Sequence, residues 1–407
     1  MRILHVIHRY PPAIGGGEFW CAGLARWQAA QGHRVRVATL RAVDDDELWG
    51  EAVWGPDLDD VQPRAVAVGR HDLQDGVEVL RSRAAGPLYA AARLLSRAGL
   101  EGLSWGQSPE FHGVLLHEAR RADVIHGYWL GGPHAVAAWL AARVARRPFV
   151  LTPFFHEGFA HHETRVAHAL LRGADRVIAL TEFEASALEA RGARPNRVVH
   201  GSNAIDAPRP DPAARTRVRA ELGTPPDAAL LCYVGRKAPN KGLDVLLRAF
   251  ERIQAPDRLL VVAGPSTAWY DRLLAEARGA HIIDLPALSE PAKFDLLAAA
   301  DVLVLPSRHE SFGTVFLEAW AVGTPVIGAD VNAVRQVIGD AGLTFRPDDA
   351  DDLAARIGSL LGSSGLRRAL AERGRREVTR HTWDRLGTTI MAAYEATRPA
   401  ERGEVAR

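Results

Sequence analysis

Short apolar runs alternate with amphipathic segments along most of the chain. The runs are rich in β-branched residues, as in strands buried within a parallel sheet, and the intervening segments repeat apolar residues at helical spacing. In the first half the pattern predicts strands at Ile3–Ile7, Val35–Leu40, Val66–Val68, Val77–Leu80, Val124–Gly127, Phe149–Thr152, Val177–Leu180 and Val198–His200. It predicts helices at Glu18–Gln31, Leu88–Arg97 and Phe111–Arg121, with others between the later strands.

The pattern restarts at Leu230 after a break at residues 206–228. That stretch is rich in Pro, Ala and Arg, which is typical of a linker. Repeated β-α units on both sides of it indicate an α/β protein of two domains, at 1–205 and 229–380. The second half is predicted to contain strands Leu230–Val234, Leu259–Ala263, His281–Leu285, Val302–Leu305 and Val326–Ile327, helices Leu243–Ile253, Tyr270–Ala277, Ala292–Ala299 and Val315–Val322, and a helical end from about Asp349 to Glu395.

The last predicted helix, at about 381–400, has one apolar face. Trp383, Leu386, Ile390 and Tyr394 recur at helical spacing, so we expect this face to pack back on the first domain. Ligands of parallel α/β sheets bind beyond the carboxyl ends of the strands. Two such domains are therefore expected to face one cleft.

Composition and charge narrow the class of protein. The 407 residues are 47% hydrophobic and carry a formal net charge of +1, which argues against a nucleic-acid partner. Cys21 and Cys232 form no disulfide framework, and His5 and His8 interrupt any signal-peptide core, so a cytoplasmic location is expected. Helix Leu88–Arg97 combines apolar residues with two arginines. At ten residues an ordinary core helix is favoured, and peripheral contact with the inner membrane face is the alternative.

Two carboxylates, Glu310 and Glu318, enclose the most informative segment. Glu310 follows strand Val302–Leu305, residues 311–314 form a turn, and Glu318 lies about one turn into the next helix. The helix N-terminus between them offers free backbone N–H groups to an anion. Two acceptors beside an anion site suit a nucleotide-sugar, which has hydroxyls at both ends and phosphate in the middle. The alternative is two solvated carboxylates of no special role.

A second segment, Tyr233–Gly242, also joins a strand to a helix. Lys241 lies just before the helix N-terminus, where a cation opposes the macrodipole at a cost of roughly 0.3–1 kcal/mol. A diphosphate held by Arg236 and Lys241 would remove that conflict. The alternative is two solvated surface cations.

The first half offers a glycine turn and several histidines. Gly15–Gly17 and Glu18 open a helix after the first strand, where glycine permits close approach of a ligand. Histidines follow later strands: His126, His156 next to Glu157, His161 and His162. They suggest a polar pocket wall. A zinc site is the alternative, although no recognised ligand spacing is present. For His126 a structural role at a strand end is also open, and for Asn203 and Asp206 a turn is favoured.

Together these segments resemble the retaining glycosyltransferases of the GT-B fold, specifically glycosyltransferase family 4. The resemblance rests on Glu310 and Glu318, on Arg236 and Lys241, on the glycine turn, on Thr181-Glu-Phe-Glu-Ala-Ser186, and on Asn203-Ala-Ile-Asp206. It covers nearly all of the second half, and in the first half it weakens between about 41 and 120. It implies two Rossmann-like domains facing one cleft, the first binding the acceptor and the second the nucleotide-sugar.

The resemblance also implies roles for individual residues. Glu318 would bind the ribose hydroxyls, and Glu310 those of the donor sugar. Arg236 and Lys241 would hold the diphosphate with backbone N–H groups of Gly313, Thr314 and Val315. His156 would contact the sugar near the reacting carbon, and the base would lie against Asp284–Leu288. Gly16, Gly17, Glu18 and His126 would line the acceptor side. The chain departs from the family in the spacing before His156 and at Ala204.

The resemblance implies transfer of a hexosyl group, with retention, from a nucleotide-diphosphate sugar to a small-molecule, glycan or lipid-linked acceptor. Because Arg236, Lys241 and a helix N-terminus can stabilise the leaving diphosphate, we expect no metal and no cofactor besides the nucleotide-sugar co-substrate. A glycoside phosphorylase, a sugar-nucleotide epimerase and a non-catalytic carbohydrate-binding protein are the alternatives.

Overall fold

A computed structural model of the chain describes residues 1–41, 69–82, 109–208, 211–225, 228–253, 257–277 and 281–398. The chain divides into two compact units. Unit 1 contains the described residues up to Ser202 and those from Trp383 onward, and unit 2 contains the described residues from Asn203 to Thr382. Each has its own parallel sheet, so the predicted α/β class with two parallel-sheet domains is confirmed. Strand Val66–Val68 and helix Leu88–Arg97, predicted above, lie outside the described residues.

Unit 1 has an eight-stranded sheet in the order β3-β4-β2-β1-β5-β6-β7-β8, in which β3 pairs antiparallel with β4 and the other pairings are parallel. The sheet order reverses between β1 and β5. Its strands are β1 (Arg2–Val6), β2 (Arg34–Leu40), β3 (His71–Gln74), β4 (Val77–Ser82), β5 (Val124–Tyr128), β6 (Phe149–Thr152), β7 (Arg176–Ala179) and β8 (Val198–His200). The helices are α1 (Gly16–Ala30), α2 (Pro109–Arg121), α3 (Pro133–Ala145), α4 (Arg165–Gly173) and α5 (Glu182–Ala190).

Unit 2 has a six-stranded parallel sheet in the order β11-β10-β9-β12-β13-β14. Here the order reverses between β9 and β12, the position where ligands of such sheets bind. Its strands are β9 (Ala229–Val234), β10 (Arg258–Ala263), β11 (Ile282–Leu285), β12 (Val302–Leu305), β13 (Val326–Ala329) and β14 (Leu343–Phe345). Its helices are α6 (Ala214–Glu221), α7 (Leu243–Arg252), α8 (Ala268–Glu276), α9 (Glu290–Ala299), α10 (Thr314–Val322), α11 (Asn332–Ile338), α12 (Ala350–Leu361) and α13 (Ser364–Val378).

The segment predicted as a linker, 206–228, instead contains helix α6 of unit 2. Arg219 is buried and donates to the Asp301 carboxylate at 2.6 Å, and Arg215 donates to the other oxygen of Asp301 at 2.6 Å. Asp301 also accepts the backbone N–H of Leu230 at the start of β9, at 2.9 Å. The arginine-rich composition therefore reflects ion pairs that fasten a helix to the sheet rather than a solvated connection.

The last helix, α14 (Trp383–Glu395), packs on α1 of unit 1 through two reciprocal contacts. A Cβ on Gly23 of α1 would lie 1.9 Å from the Trp383 ring, and a Cβ on Gly387 of α14 would lie 2.3 Å from the Trp27 ring. Each helix thus has a glycine where the other places a tryptophan. The indole N–H of Trp27 also donates to Asp384 at 2.7 Å.

Buried histidines link the sheet of unit 1 to its helices. His5 on β1 bonds the Tyr128 hydroxyl at 2.6 Å and the Gln28 side chain at 2.8 Å. Burial lowers the pKa of His5 to about 4 and also lowers the pKa of His161, to about 4. The same cause puts the pKa values of three further histidines well below the ordinary value: His126, His134 and His162. These side chains are neutral in the folded protein.

We predict that unit 1 loses stability as the pH falls below about 6.5. There the unfolded chain binds protons that the buried histidines do not, at about 1.4 kcal/mol per pH unit for each such group. Glu184 acts in the opposite direction between pH 4.5 and about 7, because burial raises its pKa to about 7, but it is one group against five. Thermal unfolding at pH 7, 6 and 5 measures the slope.

The matched variants are His5→Gln and His117→Gln. His5→Gln should flatten the slope by about one proton, whereas His117→Gln, at an exposed position on α2, should leave it unchanged. An identical slope in both variants would show that the buried histidines do not set the acid limit.

Candidate functional site

In unit 2 the loops after β9 and β12 leave the sheet where the strand order reverses. Lys241 in the first loop donates to the Glu310 carboxylate in the second at 2.6 Å. The buried Ser307 hydroxyl donates to the same Glu310 oxygen at 3.0 Å. Both paired side chains are mostly covered, at 20% exposure for Lys241 and 11% for Glu310. Lys241 is therefore no solvated surface cation, and the structure brings it together with Glu310, a residue of the other predicted segment.

The backbone of the first loop is fixed by a glycine and an arginine. Gly242 has a φ of 67°, and a Cβ there would lie 2.1 Å from the Pro306 carbonyl oxygen, so glycine is required where the two loops touch. Arg308 donates to the Pro239 carbonyl at 2.7 Å and to Asp244 at 2.8 and 2.9 Å. Arg236 lies in the same loop, and its carbonyl accepts the Tyr233 hydroxyl at 2.6 Å.

The N-terminus of α10 forms the anion cradle, which we define as Gly313, Thr314 and Val315. Gly313 precedes the helix with a φ of 84°, in the left-handed region that glycine adopts without strain. The helix begins at Thr314, so its first N–H groups lack helical partners. The Asn203 amide donates to the Thr314 hydroxyl at 2.6 Å. Asn203, predicted to shape a local turn, thus also bonds to the cradle.

Glu318 lies on α10 beyond the cradle and pairs with Lys293 of α9. The Lys293 ammonium donates to Glu318 at 2.7 Å and to Glu290 at 2.7 Å. Burial raises the pKa of Glu318, and the adjacent ammonium opposes that rise. Burial works against the charge of Lys293 as well, but the two carboxylates outweigh it and raise its pKa. Both lysine–carboxylate pairs, Lys241–Glu310 and Lys293–Glu318, therefore lie where little water reaches them.

A third lysine, Lys237, contacts the end of β11. The Lys237 side chain is 1% exposed and donates to Asp284 at 2.5 Å and to the Leu285 carbonyl at 2.9 Å. Its ammonium also lies 5.1 Å from the centre of the Tyr270 ring. Leu288, farther along the chain, is half-buried. Lys237 thus fixes the Leu285 carbonyl, within the segment where the base of the nucleotide is expected.

In unit 1 the glycine turn, Gly15–Gly17, begins α1 after β1. Glu18 is buried, and its carboxylate accepts from the Arg9 guanidinium at 2.6 and 2.9 Å. A Cβ at Gly15 would lie 2.1 Å from the Glu18 carboxylate, and one at Gly17 would lie 3.1 Å from the Phe154 ring, whereas Gly16 has open space. The turn is therefore close-packed except at Gly16, and Glu18 is engaged by an internal cation.

His156 follows β6 in a bent loop and is half-buried. Its Nδ1 donates to the Phe154 carbonyl at 2.8 Å, and Phe154 has a φ of 47°, which is uncommon for an aromatic residue. The backbone N–H of His156 donates to His162 Nδ1 at 3.2 Å. The His156 and Trp129 rings lie 5.7 Å apart.

His126 was expected on the acceptor side, but the structure places it in the core of unit 1. It is fully buried on β5, with Nδ1 bonded to the Tyr394 hydroxyl at 2.6 Å and Nε2 to the Thr152 hydroxyl at 2.8 Å. Both ring nitrogens are used inside unit 1. His126 is thus a core residue that ties β5 to α14, in line with the structural alternative.

Three side chains of the site were not predicted from the sequence: Lys237, Lys293 and Ser307. Lys237 follows Arg236 directly, and Lys293 stands three residues after Glu290, a visible helical pairing. Their contacts with Asp284 and Glu318 depend on packing between elements far apart in the chain. Among the residues that the structure describes, no group of three or more His, Cys, Asp or Glu side chains is arranged to hold a metal ion. In the same part of the chain no helix is long and apolar enough to cross a bilayer.

Two family models match the chain on either side of the unit boundary. Residues 15–204 match the glycosyl transferase 4-like domain, and residues 214–377 match the glycosyl transferases group 1. A D-inositol 3-phosphate glycosyltransferase of Jonesia denitrificans is 32% identical over 95% of this chain and 92% of its own length. Another so named, from Geodermatophilus obscurus, is 35% identical over 69% of this chain and 68% of its own length.

Solved structures share the fold at low identity. The Anabaena protein Alr3699/HepE, solved in complex with UDP and glucose, matches with a TM-score of 0.75 at 19% identity, over 97% of this chain and all of its own. The sucrose-phosphate synthase of Thermosynechococcus elongatus matches with a TM-score of 0.74 at 21% identity, over 97% of this chain and 98% of its own. Both likenesses concern the fold.

We predict that Lys293→Met destabilises unit 2 by roughly 3–5 kcal/mol, because it leaves Glu318 buried without its nearest cation. Lys293→Arg, which keeps the charge, is the matched control. The double variant Lys293→Met/Glu318→Leu should recover most of the loss, since an apolar pair replaces the ion pair. Denaturant unfolding followed by circular dichroism measures all three. A stability of Lys293→Met equal to that of the unmodified protein would mean that Glu318 does not depend on Lys293.

Proposed function

We propose the reaction of this chain from the family to which it belongs, glycosyltransferase family 4, whose enzymes have the GT-B fold. The two domain matches and the relatives described above show that membership. The chain moves a hexosyl group from a nucleotide-diphosphate sugar to an acceptor hydroxyl, with retention at the anomeric carbon and without a metal. We assign the donor to unit 2 and the acceptor to unit 1.

The observation that carries the proposal is the pair of lysine-held carboxylates on either side of the anion cradle in unit 2. Glu310 precedes the cradle and is held by Lys241, and Glu318 follows it and is held by Lys293. Carboxylates fixed in this way accept hydrogen bonds from hydroxyls without having to reorient. We assign Glu318 to the ribose hydroxyls and Glu310 to the hydroxyls of the donor sugar.

The diphosphate is assigned to the cradle N–H groups together with Arg236 and Lys241. In the reaction the bond between the anomeric carbon and the phosphate oxygen breaks, and the acceptor oxygen bonds to the same face of that carbon. The acceptor proton passes to the departing phosphate oxygen, which gains the electron pair of the broken bond. The cations and the helix N-terminus stabilise the charge that develops there, the task that a metal ion performs elsewhere.

Glu310 is a positioning group rather than a nucleophile in this scheme. One of its oxygens already accepts from both Lys241 and Ser307, which lowers the electron density that an attack on carbon would need. His156 is assigned to the donor sugar near the reacting carbon. Gly16, Gly17 and Glu18 stay on the acceptor side, and the base is assigned to the backbone from Asp284 to Leu288.

For the acceptor we propose a phosphorylated cyclitol. The support is that the relatives at 32–35% identity are named D-inositol 3-phosphate glycosyltransferases, and one of them matches 95% of this chain. The hydroxyl of such a ring would be the nucleophile.

The test is a matrix of UDP-, GDP- and ADP-sugars against D-inositol 3-phosphate and unphosphorylated inositol. We predict transfer from one nucleotide class to the phosphorylated ring, with the donor's anomeric configuration kept in the product by NMR. UDP-glucose opens the matrix because HepE was solved with it. Phosphate-dependent release of a sugar phosphate would indicate a phosphorylase, an altered donor sugar without acceptor an epimerase, and binding without turnover a carbohydrate-binding protein.

The matrix is run with and without EDTA. Transfer is expected at the same rate in both, because side-chain cations are assigned the charge of the leaving group. A loss of transfer in EDTA that Mg²⁺ or Mn²⁺ restores would overturn the metal-independent scheme while leaving the transfer itself in place.

We predict that Glu318→Ala weakens binding of the nucleotide by about 10- to 100-fold, the effect of losing hydrogen bonds to a charged group. Calorimetry with the nucleoside diphosphate selected by the matrix measures it. Glu290→Ala is the matched control, because Glu290 also pairs with Lys293 but is far more exposed. Equal affinities for the two variants would refute the ribose assignment.

A further inference from the structure

Glu184 is a buried carboxylate of unit 1 for which the reaction scheme has no role. It lies in the first turn of α5 with 1% exposure. One oxygen accepts the backbone N–H of Phe155 at 2.7 Å, and the other accepts the N–H of Leu180 at 2.6 Å. Its own backbone N–H donates to the Thr181 hydroxyl at 3.0 Å, which caps the helix. The side chain thus bridges the ends of two neighbouring strands, β6 and β7.

The Phe155 bond fixes the loop that carries His156. Phe155 stands between Phe154, with its positive φ, and His156. The Phe154 carbonyl accepts His156 Nδ1–H, so the orientation of this peptide decides which ring nitrogen carries the proton. With the proton on Nδ1, the other nitrogen, Nε2, has the lone pair that can accept a hydroxyl hydrogen.

We propose that Glu184 is the positioning residue for His156: it holds the Phe155 N–H, which keeps the Phe154 carbonyl on His156 Nδ1 and so sets the tautomer and orientation of the ring. This inference rests on the proposed function only for the role of His156 in transfer. The geometry that connects the two residues stands apart from it.

Both oxygens of Glu184 have to act as acceptors for the bridge to form. An amide in their place has one acceptor oxygen and one NH₂ donor, which would face a backbone N–H. Glu184→Gln therefore breaks one of the two bonds at nearly constant volume. Glu184→Ala breaks both.

The test is a double-mutant cycle in the transfer assay with the donor and acceptor that the matrix selects. His156→Ala and Glu184→Gln are each expected to lower kcat by about 100-fold, the effect of misplacing a reacting group by about 1 Å. The double variant should be no slower than His156→Ala alone, within about twofold, because Glu184 acts through His156. The KM for the nucleotide-sugar should change less than kcat, since the diphosphate residues lie in unit 2.

Glu182→Gln is the matched control, on the same helical turn but exposed. Thr181→Ala serves as a stability control, because it removes the helix cap and leaves the Phe155 bond. It should lower the melting temperature without the 100-fold loss of kcat. Should Glu184→Gln not fold, Glu184→Asp keeps two acceptor oxygens on a shorter stem and enters the same cycle.

The outcomes separate the two claims. If His156→Ala transfers at the normal rate, the proposed role of His156 fails. If His156→Ala is slow but Glu184→Gln is normal, or if the two losses multiply in the double variant, the positioning role of Glu184 is overturned while that of His156 stands.

Discussion

Unit 2 depends on keeping carboxylates ionised in a place with little water. Glu310 and Glu318 are both mostly covered, and burial alone would favour their neutral forms. Lys241 and Lys293 supply the opposing charge at 2.6 and 2.7 Å. The lysines come from different elements, the loop before α7 and helix α9, so each pair also ties two elements together. The Lys241–Glu310 pair therefore holds the loops after β9 and β12 together, and the Lys293–Glu318 pair holds α9 against α10.

In unit 1, the part of the interior next to α1 and α14 contains histidines that burial keeps neutral, together with hydroxyl groups. His5 and His126 sit on adjacent central strands and bond to Tyr128, Gln28 and Tyr394. These bonds run from the sheet to α1 and α14, which otherwise meet through their reciprocal glycine–tryptophan contacts. A charged residue at either position would need a partner that the closely packed interior has no room for. These hydrogen bonds and the glycine–tryptophan contacts together hold α1 and α14 on the sheet.

Periodicity and turn chemistry predicted most of the architecture, and the reasons for the failures are physical. Fully apolar strands such as Val302–Leu305 are recognisable because both faces are buried. The edge strand His71–Gln74 is polar and short, so it lacks that signal. Helix α6 was mistaken for a linker because its arginines pair with Asp301, a residue 82 positions beyond Arg219. Local sequence cannot show such a partner.

The candidate site likewise contains residues that local sequence predicts and residues whose contacts only the folded chain shows. Glu310, the cradle and Glu318 follow from a strand, a turn and a helix that are contiguous in sequence, and Lys241 follows from a second such segment 69 residues before Glu310. Lys293 and Glu184 act across elements, and only the folded chain shows what they touch. His126 shows the converse error, since a histidine at a strand end has the same local sequence whether it faces a ligand or the core.

The division of the chain also constrains the order in which the protein can mature on the ribosome. Unit 1 is discontinuous in the chain. Its sheet is made from the first half, but α14 lies at residues 383–395. This helix places the Trp383 ring against Gly23 and the Tyr394 hydroxyl against His126. Unit 2 ends at Thr382, so all of its residues have been synthesised before α14 exists. Until the whole of unit 2 has been synthesised, the surface of α1 around Gly23 therefore lacks the helix that covers it. Unit 1 thus begins before unit 2 in the chain and is completed after it, and during that interval its incomplete apolar surface is open to misassociation.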